Sequence, residues 1–305
     1  MSTTIIQQTA PLHTEHNPTP PERKRRKWSA RRFRAAVPAW IGIIVLMTVG
    51  LYPIVWLFLS SFKTQREFIQ ESTFALPEGF NFQNYIDAWT TGEIGRNFLN
   101  SVIVTAPSLT MVLLFGVGAA FAIEVMVWKG RNLTLLLFVS GIMIPGQMIL
   151  IPLFITYFQL GISGTYWPMI ITYTGLGMPL TVFMMAAYFR SIPRELFEAA
   201  TIDGASMLRA FFSIGLPLVR NSLFTIGLVM FLSIWNDLLI ALTFTTNSDL
   251  RPIQAGLLNF AGEYGQLNYG PLFAGICINV FGLLVLFVAL NQKIMKGLAS
   301  GAVKG

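Results

Sequence analysis

Six long apolar runs are the feature of this sequence that most constrains its fold. Each has about 20 residues or more, the length that an α-helix needs to cross the hydrocarbon core of a bilayer. Only 11% of the 305 residues are charged and 54% are hydrophobic, whereas a soluble domain carries about 25% charged residues. The sequence therefore predicts an all-α polytopic membrane protein with six transmembrane helices, near residues 37–59, 98–127, 133–158, 167–188, 218–242 and 271–290.

Lys and Arg residues are distributed unevenly between the segments that join these runs. Eight of the 21 lie in residues 23–34, directly before the first run. By the positive-inside rule, that side of the membrane is cytoplasmic, and the even number of spans places both termini there. We expect residues 1–36 to be a disordered basic tail, interpreted as a membrane-flanking signal rather than a nucleic-acid site, and residues 292–305 to be a second cytoplasmic tail. The first run is too long for a cleaved signal peptide, so an anchor helix is expected.

The residue types that build metal and redox sites are scarce. Cys277 is the single cysteine, and the two histidines, His13 and His16, lie in the polar tail. One cysteine permits no intrachain disulfide, and we expect no His/Cys metal site.

The two longer outer segments carry patterns beyond those of plain turns. In residues 37–96, which hold the first helix and an extracytoplasmic segment, Asn81 can cap a short helix. Its apolar residues at helical spacing predict an interfacial helix on the outer leaflet, with Phe82, Tyr85, Ile86 and Trp89 on one face. The other segment, 243–270, is rich in Asn, Gln, Tyr and Gly, a composition that fits a functional loop and a solvated connector equally.

Proline and glycine interrupt the third and fourth runs. The third contains Pro145, Gly146 and Gln147, and the fourth contains residues 175–179, Gly-Leu-Gly-Met-Pro. Helix breaks at bilayer depth are tolerated where they face protein or a watery cavity. We therefore expect neither run to be a straight helix, with Gln147, Gly175 and Gly177 lining a pathway or, alternatively, forming packing kinks. The pair Gly116 and Ala120 is read as a helix-packing notch.

Asp237 is the one acidic residue placed clearly inside an apolar run, next to Asn236. A carboxylate is costly at this depth and faces the interior of a helix bundle. Two roles fit equally, the lining of a translocation pathway by Asn236 and Asp237 or a structural hydrogen bond to a neighbouring helix.

The inner segment 190–217 predicts two short helices joined by a sharp turn. Ser191 can cap a first helix over residues 195–202, and Gly204 can take the left-handed conformation that ends it. Ser206 can then cap a second helix. Such a pair resembles a docking surface for another protein, and an amphipathic loop on the lipid surface is the alternative. The docking surface would combine small residues, acidic residues and apolar anchors, namely Ala199, Ala200, Glu195, Glu198, Leu196 and Phe197.

The same segment carries a recognisable signature. Glu198-Ala199-Ala200, then Gly204, Ile214 and Leu216-Pro217 at the characteristic spacing resemble the EAA motif of permease subunits of ABC importers. The similarity is closest to the second permease of maltose-type carbohydrate importers, and the aromatic segment 80–85, the triplet 235–237 and the C-terminal end 296–305 support it. It implies a type I ABC importer permease fold with its core in residues 97–291.

The resemblance also implies partners and functional residues. Expected partners are a second permease, two ATP-binding subunits and an extracytoplasmic sugar-binding protein. No Gly-Lys dipeptide occurs in the chain, so it has no Walker A loop, and ATP is expected to be used by the partner subunits with no cofactor bound here. The residues implied to couple to the ATPase are Glu195, Leu196, Phe197, Glu198, Ala199, Ala200, Asp203, Gly204, Ile214, Leu216 and Pro217, and those implied to contact the binding protein are Gln254, Tyr264 and Gln266.

Other functions fit the residues less well. An ABC importer of a non-sugar solute would share every feature above. A secondary transporter would also have kinked spans, but the chain shows no internal repeat and no paired intramembrane charges. A membrane enzyme would need a set of catalytic groups at bilayer depth, which one Asp and one Cys do not provide.

Overall fold

The computed structural model describes the backbone of residues 30–261 and 267–302. Within these residues the fold is helical, and the single β-bridge joins Ala261 and Leu267. The α-helices in chain order are α1 (Ala30–Ser60), α2 (Gln65–Gln70), α3 (Gln83–Thr90), α4 (Ile94–Glu124), α5 (Arg131–Ile142), α6 (Leu150–Gln159), α7 (Trp167–Arg190), α8 (Glu195–Ile202), α9 (Met207–Ala210), α10 (Leu216–Trp235), α11 (Leu239–Phe244), α12 (Ile253–Gly256) and α13 (Tyr269–Ala302).

Four helical segments of the described chain are long and apolar enough to cross a membrane, namely Trp40–Ser60, Ile94–Glu124, Trp167–Arg190 and Met207–Trp235. The pair Arg131–Ile142 and Gly146–Gln159 gives a fifth span if its two halves are counted together. The sixth predicted run lies in α13, whose described apolar part, Tyr269–Val285, is shorter than the other spans. The all-helical, multi-span prediction is therefore confirmed, with four or five spans by this measure.

The chain divides into two units after Pro53. The described part of the first unit, residues 30–53, is helical. Its apolar side chains include Leu46 and Val49, which are 75% and 68% exposed. Such a surface suits a lipid or protein environment.

The break predicted in the third span is present. Helices α5 and α6 are bent by 90° relative to each other, and Pro145, in an extended conformation, precedes a 3₁₀ turn at Gly146–Ile149. Proline cannot donate the hydrogen bond that a continuous helix requires, so the helix ends before it.

The fourth span has no break, because α7 runs without interruption through Gly175 and Pro179; a bend at Pro179 stays a prediction. Packing explains the difference. A Cβ atom on Gly177 would lie 2.9 Å from Val112 Cγ2 of α4, and one on Gly116 would lie 2.6 Å from Thr181 Cγ2 of α7. The glycines therefore let α4 and α7 approach closely, as predicted for Gly116, and this contact favours an unbroken helix.

The fifth span has a break that was not predicted. Helix α10 ends at Trp235, residues 236–238 are non-helical or irregular, and α11 begins at Leu239. The expected continuous helix over residues 218–242 is therefore wrong. The capping residue types Asn236 and Asp237 were the available sign of an interruption, and hydrogen bonds of Asp237 described below stabilise it.

Three apolar clusters hold the second unit together. The first joins α4, α7, α8 and α10 toward their inner ends through Val112, Phe121, Phe189 and Phe197. The second joins α6, α7 and α11, and the third packs α3 and α12 against α4, α10 and α13. The outer segments are thus folded onto the helices.

The predicted short helix with an apolar face is present as α3. Asn81 Oδ1 accepts a hydrogen bond from the Gln83 amide at 3.2 Å. The buried face consists of Asn84 and Ala88, and the Asn84 amide donates to the Ser61 and Lys63 carbonyl oxygens. Phe82, Ile86 and Trp89 are 64%, 54% and 57% exposed, whereas Tyr85, predicted on the same face, is half-buried against the third cluster. A position on the outer leaflet stays a prediction.

A buried carboxylate stabilises the segment around α2. Glu67 is 6% exposed, and its carboxylate accepts hydrogen bonds from the Thr64 and Glu78 amides at 2.6 and 2.7 Å. Burial by itself raises the pKa of Glu67, but these hydrogen bonds and the nearby charge of Lys63 outweigh burial and lower the pKa below its usual value. The ionised form of Glu67 therefore supports the folded outer segment.

Candidate functional site

The two-helix turn of the inner segment is present with the predicted chemistry. Gly204 has φ +78°, and the amides of Gly204 and Ala205 donate to carbonyl oxygens of the last turn of α8 at 3.0 and 2.9 Å. Ser206 Oγ then accepts from the Arg209 amide at 3.3 Å and caps α9. Only Ser191 differs from the prediction, since its hydroxyl donates to the Tyr188 carbonyl and ends α7 instead of capping α8.

The coupling turn, defined here as residues 195–210, is held to the spans by an aromatic contact. Phe197 is 5% exposed, and its ring packs edge-on against Phe121 of α4 with centroids 5.7 Å apart. Phe197 thus belongs to the core of this chain, a role different from the expected apolar anchor for a partner. Leu196 is 45% exposed and Ile202 is 86% exposed, so these residues offer apolar area to a partner.

The outward surface of α8 is small and acidic. Ala199 is exposed and Ala200 half-buried, and the exposed acidic residues are Glu195, Glu198 and Asp203. A helix of this kind lets another backbone approach closely and places charge at the edge of the contact.

The second half of the signature packs inward. Residues Phe211–Gly215 form a π-helical turn between α9 and α10, a feature that often marks functional positions. Gly215 is buried, and a Cβ atom there would lie 3.2 Å from the Phe121 ring. Ile214 and Leu216 are half-buried against the same cluster, while Pro217 is exposed in the first turn of α10. These residues fix the coupling turn to α10.

An ion pair next to the coupling turn was missed in the sequence. Arg190, at the end of α7, donates two hydrogen bonds to the two carboxylate oxygens of Glu124, at the end of α4. The Glu124 side chain is only 10% exposed. Opposite charges at the inner ends of two neighbouring apolar runs were the available signal. A cavity of about 540 Å³ separates this region from α8, and its lining includes Glu124, Trp128, Arg190, Arg194, Phe197 and Glu198.

Asp237 makes the structural hydrogen bonds that one of its two predicted roles requires. Its Oδ1 accepts from the Tyr173 hydroxyl of α7 at 3.1 Å and from the Ile240 amide at 2.8 Å. The carboxylate therefore satisfies the first turn of α11 and stabilises the break in the fifth span. Asn236 is exposed and donates to the Leu232 carbonyl at 2.9 Å. A pathway role for both residues stays a prediction.

The other predicted pathway residues separate into two groups. Gln147 and Gly175 are exposed. The break of the third span lies against the middle of α7, since a Cβ atom added to Gly146 would be 3.2 Å from Leu176 Cδ1. Gly177 instead faces Val112 in a helix contact. Gly177 therefore has a packing role.

The second outer segment is docked onto the spans over its described part. The Ile253 amide donates to Ser101 Oγ at 2.8 Å, and Asn100 donates to the carbonyl oxygens of Asp249 and Arg251 at 2.7 and 3.0 Å. Residues 247–260 are therefore not a solvated connector. Gln254 turns toward the spans and donates to Asn236 Oδ1 at 3.2 Å. Tyr264 and Gln266 lie outside the described residues.

These features together define a multi-span helical membrane protein with a structured turn at one end of its spans, the architecture of a permease. Residues 112–292 match the binding-protein-dependent transport system inner membrane component family, and the chain belongs to this family. It is therefore a membrane-embedded transport component and not an enzyme.

Named relatives and a solved structure agree with this assignment. The chain is 33% identical over 277 residues to the diacetylchitobiose uptake system permease protein NgcG of Streptomyces coelicolor, covering 90% of this chain and 91% of the relative. It is 33% identical over 278 residues to the melibiose/raffinose/stachyose import permease protein MelC of Bacillus subtilis, covering 89% of this chain and 100% of the relative. A chain from the crystal structure of a bacterial ABC transporter involved in the import of alginate has the same fold, with TM-score 0.74, 20% identity and coverage of 87% of this chain and 98% of that chain.

Proposed function

We propose that this chain is one of two permease subunits of an ATP-driven, binding-protein-dependent sugar importer. The carbohydrate assignment is supported by NgcG and MelC, whose names specify oligosaccharide uptake and which align with nearly the whole chain. The partners are a second permease, two cytoplasmic ATP-binding subunits and an extracytoplasmic sugar-binding protein. ATP is bound and hydrolysed by the partner subunits, and this chain binds no cofactor.

The observation that carries the proposal is the two-sided construction of the coupling turn. Its exposed side presents Glu195, Glu198, Ala199 and Ile202 to a docking ATPase subunit. Its buried side reaches α4 through Phe197. A displacement of α8 would therefore move the inner ends of the spans instead of only a loose loop.

In the proposed topology, α13 supplies the sixth span and both termini are cytoplasmic. Residues 1–36 and 292–305 are then cytoplasmic tails, residues 37–96 hold the first span and outer interfacial segment, and residues 97–291 form the permease core. In this orientation, the coupling turn lies on the cytoplasmic side, where the ATPase subunits are. Residues 243–270 lie on the extracytoplasmic side, where the binding protein is.

The mechanism is alternating access. ATP binding draws the two ATPase subunits together, the docked α8 moves with them, and the spans open outward toward the sugar-loaded binding protein. ATP hydrolysis returns the inward-open state. Because coupling between two sites is reciprocal, engagement of the binding protein must in turn favour the ATP-bound arrangement.

The experiment is purification of a tagged chain from its native membrane, with identification of the co-purifying subunits and ATPase assays in proteoliposomes. We expect a second permease and an ATPase, with ATPase activity raised by the sugar-loaded binding protein. Purification without any ATPase, or uptake driven by a proton gradient, would refute the proposal. Titration of the binding protein with sugars and with other solutes tests the substrate class, and exclusive binding of a non-sugar solute would make the complex a non-sugar importer.

A further inference from the structure

A polar group lies at the break of the fifth span, on a surface that is otherwise apolar. It consists of Asn236, Asp237 and Gln254, called here the polar patch. Gln254 comes from α12, and its amide donates to Asn236 Oδ1 at 3.2 Å. Asp237 is connected to α7 by the Tyr173 hydroxyl at 3.1 Å. The patch therefore joins the docked outer segment to two spans.

The polar patch lies within the length of the spans, toward one end of α7. Tyr173 is six residues from the start of α7, which corresponds to about 9 Å along the helix. Asn236 is exposed, and Asp237 and Gln254 are partly exposed. A carboxylate and two amides cannot face hydrocarbon at this depth without a large energetic cost, so this face of the chain meets water or a polar partner.

The unused atoms of the patch are hydrogen-bond acceptors. Asp237 accepts both of its hydrogen bonds at Oδ1, and Gln254 uses only its amide nitrogen. Within the described part of the chain, no donor reaches Asp237 Oδ2 or Gln254 Oε1. Each of these two oxygens can accept a hydrogen bond from a hydroxyl donor.

The surrounding charge favours an uncharged ligand. Helices α7, α10, α11 and α12 contain only two cationic residues, Arg190 and Arg220. Arg220 is 16 residues from Asn236, which is about 24 Å along a helix. Arg251, three residues before Gln254, stays positively charged, and its guanidinium donates to the neutral amide oxygen Asn259 Oδ1 at 2.8 Å. An acidic sugar would thus meet the Asp237 carboxylate without a compensating cation from these helices.

We propose that Asn236, Asp237 and Gln254 form a contact site for the hydroxyl groups of an uncharged sugar as it passes through the importer. The inference rests on the proposed function and adds a location and a substrate class to it. Gln254 is thereby assigned to the pathway and not to the binding-protein contact expected from the sequence. Asp237 Oδ2 and Gln254 Oε1 accept from sugar hydroxyls, while Asp237 Oδ1 keeps its structural hydrogen bonds.

Thiol accessibility tests whether the patch faces a water-filled pathway. Cys277 is the only cysteine of the chain, so Cys277→Ser gives a background without thiols in this subunit. Asn236→Cys and Gln254→Cys in that background, within the reconstituted complex, should react with a membrane-impermeant methanethiosulfonate. The matched control is Leu114→Cys at a 60% exposed apolar position of α4, which should react only with a lipid-soluble maleimide. Reaction of Asn236→Cys with the lipid-soluble reagent alone would overturn the proposal.

Uptake measurements test the contact with sugar. Asp237→Asn keeps an oxygen acceptor for Tyr173 and Ile240 and replaces only Oδ2 with a donor. With radiolabelled maltose, raffinose and diacetylchitobiose as probes, the wild-type complex defines which sugar is transported. For that sugar, Asp237→Asn should lower the amount transported per ATP hydrolysed by about tenfold, the usual effect of losing a charged hydrogen bond.

Tyr173→Phe separates sugar contact from a structural role, because it removes a hydrogen bond of Oδ1 and leaves Oδ2 unchanged. Transport per ATP should be lowered much less by Tyr173→Phe than by Asp237→Asn. Equal losses in both variants, or an Asp237→Asn complex with wild-type transport, would refute the contact site while the importer function stands. A binding protein that binds only non-sugar solutes would instead refute the proposed sugar function, and the site with it.

Discussion

The turn at Gly204 gives the sharpest test of how ATPase docking is coupled to the spans. Its backbone lies in the left-handed region at φ +78°, and a Cβ atom added there would meet no atom within 4 Å. The Cβ atom of Gly204→Val therefore meets no clash within the described chain, and the left-handed backbone conformation is the expected source of its cost. For an L-residue this cost is about 1–2 kcal/mol, which lowers the population of the native turn by about 5- to 30-fold relative to a relaxed turn.

We expect the Gly204→Val complex to lose about tenfold in both sugar uptake and binding-protein-stimulated ATPase activity, because α8 and α9 no longer hold the docking angle. Gly204→Asn should lose about twofold, since asparagine tolerates the left-handed conformation. The assay uses proteoliposomes with equal amounts of assembled complex, and basal ATPase activity is measured in parallel.

A matched control comes from the opposite end of the spans. Gly164, in the turn between α6 and α7, has φ +80°. The atom nearest to a Cβ added at Gly164 is Thr246 Oγ1, at 3.7 Å. Gly164→Val therefore carries similar backbone strain but lies far along the chain from the coupling turn. Equal loss of stimulated ATPase activity in Gly204→Val and Gly164→Val would show that general destabilisation, and not the coupling turn, is responsible.

Other substitutions test the remaining contacts. Phe197→Ala should lower the free energy of unfolding by about 3–5 kcal/mol as a buried phenylalanine, whereas Leu196→Ala at a 45% exposed position should cost about 1 kcal/mol or less; thermal unfolding of the purified complex measures both. Glu124→Arg and Arg190→Glu should each reduce stimulated ATPase activity, and the double variant should recover part of it. If the double variant recovers no activity, the ion pair has no role in the stimulation. Because folding lowers the pKa of Glu67, its stabilising effect is complete above the unfolded-state pKa and is lost as the pH falls through the folded-state pKa; proteolysis of the outer segment should rise on acidification in the wild type, and Glu67→Gln should remove this pH dependence.

The sequence was sufficient where a local rule determined the structure. Gly204 and Ser206 form the turn that their residue types favour. Pro145 interrupts the third span because its missing amide has a direct effect on the helix. In both cases the cause lies within a few residues of the effect, so pattern and composition predict it.

The sequence was insufficient where a contact between distant residues decided the outcome. Helix α7 stays continuous at Pro179 because Gly177 packs against Val112 of α4, a residue 65 positions away. At the break of the fifth span, Asp237 caps α11 locally at Ile240 and also accepts from the Tyr173 hydroxyl of α7, 64 residues away, and this second contact was not predicted. Phe197 faces the core because Phe121 occupies the facing position on α4, and no helical periodicity over eight residues could distinguish that neighbour from a partner protein.

The unpredicted continuity of α7 has a mechanical consequence for the proposed transport cycle. Arg190 at its inner end is bound to Glu124 beside the coupling turn, and Tyr173 toward its outer end is bound to Asp237 at the polar patch. The two residues are 17 positions apart, or about 25 Å along one helix. Helix α7 is continuous between them and packs along α4, although Pro179 lacks the amide for one of its backbone hydrogen bonds. In the proposed cycle, displacement of one end of α7 by the ATPase would reach the polar patch through this helix, a continuous element of the kind that can couple distant sites.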